Sequence, residues 1–134
     1  MRDHSRLGPV FPLLWKTLMN ELITREQFAL LLLNGEAQKA DPDNFNPKPI
    51  VKLSNPIGCG TWLLASVDPD DPDIAYGLCH YDMKCPELGI VSIEGLHIYN
   101  GSSKPPIERD PHWKADKTLA EYASEAITKR HIAT

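Results

Sequence analysis

Thr61-Trp62-Leu63-Leu64-Ala65-Ser66-Val67, then Asp68-Pro69-Asp70-Asp71-Pro72-Asp73, then Ile74-Ala75-Tyr76-Gly77-Leu78-Cys79: two apolar runs flank six residues made only of Asp and Pro. Aromatic and β-branched residues suit a pleated, packed surface, whereas Asp and Pro favour turns. A connection this short cannot hold the crossover that parallel strands need, so the block predicts an antiparallel pair.

Two further strand-length segments lie outward of this block, Ile50-Val51-Lys52-Leu53 and Gly89-Ile90-Val91-Ser92-Ile93, and make residues 49–100 a β-rich core. No helical period interrupts them, which favours a meander over a βαβ unit. Upstream, Thr24-Arg25-Glu26-Gln27 has the form of a capping box. With Phe28, Leu31 and Leu32 at helical spacing and Asn34-Gly35 as a left-handed stop, it predicts a helix over 24–35. Downstream, a second box at Thr118-Leu119-Ala120-Glu121 precedes Leu119, Tyr122, Ala123, Ala126 and Ile127, predicting a helix over 117–131. Residues 1–23 read as an N-terminal extension with a short helix near Pro12 to Leu22, and Asp41 to Pro49 as a proline-rich linker. The fold class expected is α+β: one domain over 1–134, an antiparallel sheet of about four to five strands, and short helices from the N-terminal and C-terminal segments.

Composition narrows the function classes. The chain has 134 residues, with 14 Lys+Arg against 18 Asp+Glu, a net charge of −4 and a pI near 5.7. The bases are spread evenly and form no stripe, so direct nucleic-acid binding is not expected. The longest apolar run, Phe28 to Leu33, falls far short of a membrane span, and no secretory leader is read at the N-terminus. Three cysteines do not suggest a secreted disulfide framework. A cytoplasmic protein that does not associate with membranes is the expectation.

The order of motifs in the middle of the chain is distinctive. Thr61-Trp62-Leu63-Leu64, the turn Asp68 to Asp73, Tyr76-Gly77-Leu78-Cys79, Pro86-Glu87-Leu88-Gly89-Ile90-Val91-Ser92 and Ile107-Glu108-Arg109-Asp110 follow one another before the amphipathic tail. This pattern, over roughly residues 24–131, resembles a small bacterial family of domains of unknown function that is common on plasmids and integrative conjugative elements. Tyr76 stands where the family usually has Phe, His80 where it tends to have Asp, and the stretch Gly95 to Pro106 lacks the family's Glu-rich turn. The resemblance implies a setting on mobile DNA and no particular catalytic chemistry.

Three groups of residues are candidates for chemistry. The turn contributes Asp68, Asp70, Asp71 and Asp73; without these four carboxylates the remaining charges balance at 14 against 14. Such a turn can be a solvated hairpin with local Asx bonds, a divalent-cation loop or a charged docking epitope. Cys59, Cys79, Cys85 and His80 offer zinc-ligand types without knuckle spacing, so buried thiols are expected and no metal. Pairing one of these thiols with His80, His97 or His112 as an activated nucleophile would need convergence from separate elements.

Glu108-Arg109-Asp110, with His112 and Trp113 after it, is the densest polar cluster. Two carboxylates can do acid–base work, and Arg109 can grip a carboxylate or phosphate. The structural reading is that Arg109 is buried and paired with Glu87 or Asp73, fixing the tail to the sheet. Trp62 and Tyr76 read as core.

No nucleophile elbow, phosphate loop or dinucleotide fingerprint is present, and no cofactor is implied. The function expected is that of a non-enzymatic accessory protein of a mobile element working through a protein partner, with counter-defence inhibition of the anti-CRISPR kind as its specific form. Its candidate binding residues are the four turn aspartates, Glu87, Glu108, Arg109 and Asp110. The alternative is a hydrolase built on Glu87, Glu108 and Asp110 with Arg109.

Overall fold

The computed structural model describes residues 22–56, 60–81, 84–100 and 107–134. Helix α1 (Arg25–Ala40) leads through a 3-10 turn (Pro42–Asn44) into strands β1 (Val51–Ser54), β2 (Thr61–Asp68), β3 (Asp71–His80) and β4 (Glu87–Ser92). Helix α2 (Ile93–Asn100), the two-residue strand β5 (Glu108–Arg109) and helix α3 (Leu119–Lys129) follow. The sheet has five antiparallel strands in the order β4-β3-β2-β1-β5. The expected α+β class and meander are both observed, and β5 is added on the far side of β1.

Both faces of the sheet are covered, which explains why β2 is buried continuously from Trp62 to Val67 and does not alternate. Val51, Leu53, Trp62, Leu64, Val67, Ala75 and Cys79 meet Leu31 of α1 and Ile93 and Leu96 of α2 on one face. On the other, Leu63, Ala65 and Leu78 meet Leu119, Tyr122, Ala123 and Ala126 of α3. Trp62 is core, as expected, while Tyr76 is only half-buried. The β2–β3 register shifts between Leu64 and Ser66. Gly77 sits beside that bulge, and a Cβ there would run into the Leu63 carbonyl, so the close strand approach requires glycine.

Both capping boxes form. Thr24 accepts from the Gln27 amide at 3.0 Å, and Thr118 from the Glu121 amide at 3.3 Å. The remaining helix bounds differ from expectation. Asn34-Gly35 does not end α1, which runs on to Ala40. Asn34 Nδ2 instead donates to the Ala65 carbonyl at 2.8 Å, and Gly35 packs against Val67, so both residues serve the helix–sheet contact.

The β-rich stretch stops at Ser92, not residue 100. Ile93, expected to close the last strand, is a fully buried first residue of α2. The tail helix is shorter than 117–131, ending at Arg130 in the left-handed conformation (φ 66°). The short helix expected from Pro12 to Leu22 lies almost entirely outside the described residues, as does Cys59.

Candidate functional site

The sheet order places Glu87 and Arg109 at opposite edges. Glu87 opens β4 at one edge, while Glu108 and Arg109 form β5 at the other. Four strand spacings, about 19 Å, lie between them. Arg109 therefore pairs with neither Glu87 nor Asp73, contrary to the structural expectation. In register it stands beside Leu53, and its Nε and Nη1 atoms are buried without a hydrogen-bond partner. Asp110 turns the chain locally: its amide donates to the Lys52 carbonyl at 3.0 Å and its Oδ1 accepts from the His112 amide at 3.1 Å.

The four turn aspartates divide into two places. Asp68 and Asp71 are opposed at the hairpin mouth, with Pro69 and Asp70 at the tip. Asp68 Oδ1 accepts from the Asp70 amide at 2.9 Å, the expected Asx bond, and the Asp70 carboxylate pairs with Lys39 of α1. Asp73 has turned inward. Its carboxylate accepts from Ser92 Oγ at 2.6 Å and from the Glu94 amide at 2.7 Å, while Ser92 Oγ accepts from the Gly95 amide at 2.9 Å. Two orphan amides at the start of α2 are thus satisfied across two strands. Asp73 is a helix cap, and the sequence gives no hint of it because α2 itself is hidden in an apolar run.

Cys79 is buried and Cys85 exposed. Burial first, and the nearby Glu87 carboxylate second, push the Cys79 thiol up to about 11. That is the opposite of an activated nucleophile. Among the described residues, no group of three or more His, Cys, Asp and Glu side chains is placed to hold a metal ion.

The family model described as Protein of unknown function (DUF2958) matches residues 22–133. The chain belongs to that family. No curated protein and no solved structure matches it. Among the described residues, no helix of this DUF2958 chain is long and apolar enough to cross a membrane.

What sequence reasoning missed lies on β4. This strand is an end of the sheet, with no described strand on its outer side. It exposes Leu88 at 43 % and Ile90 at 68 %, and Ile127 of α3 is similarly open at 66 %. Leu88 and Ile90 share a face, opposite Leu78 and Tyr76 of β3. Ile90 also borders an open groove of about 300 Å³ with Tyr76, Ile74, Gln38, Lys39 and the Asp68–Asp70 tip. The groove combines an apolar floor with a charged rim. Gly89-Ile90-Val91-Ser92-Ile93 reads as a strand in the sequence, but apolar content alone does not tell an edge strand from a central one.

Proposed function

We propose that this DUF2958 chain is a non-enzymatic protein-binding module that acts through its β4 edge. The observation that carries the reading is the exposure of Leu88 and Ile90 on a strand with no strand beyond it among the described residues. Proteins normally blunt such an edge with a Lys, a Pro or a bulge, and β4 has none of these. An exposed apolar patch with a polar rim is a common form of protein-interaction site.

The finer reading is an accessory protein of a plasmid or integrative element, working in the cytoplasm against a host defence enzyme. Its support is the order of motifs shared with that family and the acidic turn at 68–73. A surface of this charge suits the basic channel of a nucleic-acid enzyme and would speed its association. The hydrolase alternative draws no support from the geometry, since Glu87 shares no cleft with Glu108, Arg109 and Asp110.

Affinity capture from a bacterial host lysate, at low and moderate salt, tests the reading. A stoichiometric protein retained by the parent chain and lost with Ile90→Lys is the expected result. Recovery of no stoichiometric partner at either salt would overturn it.

A further inference from the structure

We infer that the β4 edge receives an extended, basic segment of the partner as a sixth strand of the sheet. The inference rests on the protein-binding reading above and names the chemistry of what is bound.

Three observations converge on that occupant. The first is the edge itself: Glu87–Ser92 is a six-residue strand that, among the described residues, pairs only with β3, and it is long enough to template another strand. The second is the pattern of side chains it presents. Leu88 and Ile90 stand exposed on one face, so an added strand gains contact by placing apolar residues opposite both. On the other face, a Cβ built at Gly89 meets no atom within 4 Å, which leaves room for a long partner side chain between Glu87 and Val91.

The third is charge. Residues 68–94 carry seven carboxylates and a single Lys or Arg, Lys84. Asp70 is paired with Lys39 and Asp73 caps α2, and the carboxylates of β4 and its C-terminal flank are Glu87 and Glu94. Glu87 is the first residue of β4 and Glu94 lies two residues past its end, so carboxylates bracket the edge at both ends. Every pair in this sheet is antiparallel, and an antiparallel addition continues that pattern. Read in the partner's direction, the matching segment is apolar opposite Ile90, free opposite Gly89, apolar opposite Leu88 and Lys or Arg opposite Glu87.

A second copy of this chain fits the edge less well. Two copies would bring two acid-bracketed edges together. The apolar area exposed by Leu88, Ile90 and Ile127 is also small beside the 1,200–2,000 Å² of about the standard stable interface.

The probe is a synthetic ten-residue peptide of alternating valine and lysine, titrated onto the full chain by calorimetry at moderate salt. Its twin carries an N-methyl group on every backbone amide, which keeps the charge but removes the donors that strand pairing needs on both edges. Saturable binding by the first peptide, weakened at least tenfold by N-methylation and at least tenfold by Ile90→Lys, is the expected result. Ile90 is exposed, so the lysine variant keeps its fold, checked by circular dichroism.

Equal binding of both peptides would mean simple ion exchange and overturn the inference. So would β4 amides already protected from exchange in a dimer seen by ultracentrifugation. If neither peptide binds while the lysate partner is still captured through Ile90, the sixth-strand inference fails and the protein-binding reading stands. If no partner is captured either, both fail.

Discussion

Gly35 of α1 packs so tightly on Val67 of β2 that a Cβ built on it would overlap the Val67 carbonyl oxygen and stand 3.2 Å from Pro69 Cδ. The obstacle is strand backbone, which cannot swing aside as a side chain can. Gly35→Ala should therefore destabilise the protein by about 1–3 kcal/mol, even though alanine gains roughly 1 kcal/mol of helix propensity. Urea unfolding of this variant beside Glu36→Ala, at an exposed neighbour on the same helix, measures the difference. A Gly35→Ala midpoint at or above the parent's would show that the contact relaxes freely.

That contact also marks where the sequence stops being informative. Asn34-Gly35 carries a local stop signal, and the signal is overridden because the helix needs a residue without a side chain where it crosses β2. The caps at Thr24 and Thr118 and the β2–β3 hairpin are legible because each depends on residues within a few positions of one another. The start of α2 is not legible: its cap comes from Asp73, 21 positions before the Glu94 amide it accepts from. Nor is the edge position of β4, since strand order is decided by where the chain returns after α2. The candidate site inherits these limits. Its acidic tip is visible in the sequence, its apolar half is not, and the pairing of Arg109 with Glu87 or Asp73 expected from the polar cluster at 108–110 is absent among the described residues.

Asp73 can be told apart from its neighbours by stability. Asp73→Ala removes the acceptor for Ser92 Oγ and for the Glu94 amide and should cost about 1–2 kcal/mol, the usual worth of a helix cap. Asp71→Ala, at the solvent-facing start of β3, should stay within about 0.5 kcal/mol of the parent. Equal melting of the two variants would remove the capping role.

The raised pKa of Cys79 makes a pH prediction with a definite sign. Because the folded protein favours the neutral thiol, stability from this group is complete below pH 9, the unfolded value, and is lost as pH rises through about 11. The rise from 9 to about 11 corresponds to roughly 2–3 kcal/mol. Lysines and tyrosines also titrate in that window, so the informative quantity is the difference between the parent and Cys79→Val. The parent should lose more stability than the variant from pH 9 to 10.5 in denaturant titrations, and parallel curves would refute the assignment. At pH 8, peptide mapping after iodoacetamide should find Cys85 alkylated and Cys79 intact.

Arg109 carries the most direct test of how the β5 edge is held. A guanidinium in a closed ion pair leaves an unpaired buried carboxylate when truncated, at a cost of about 3–5 kcal/mol. Here Nε and Nη1 are buried with no acceptor, so the folded state bears the desolvation of those donors with no bond in return. Replacing Arg109 by Met keeps an unbranched apolar stem beside Leu53 and removes the orphaned donors. Arg109→Met should therefore melt at or above the parent temperature, a gain of up to about 1–3 kcal/mol. Arg109→Lys, which keeps a charge on a shorter list of donors, should fall between them. A drop of several kcal/mol in Arg109→Met, measured by thermal and urea unfolding together, would mean that the guanidinium has a partner in solution. The β5 edge would then be held by an ion pair after all.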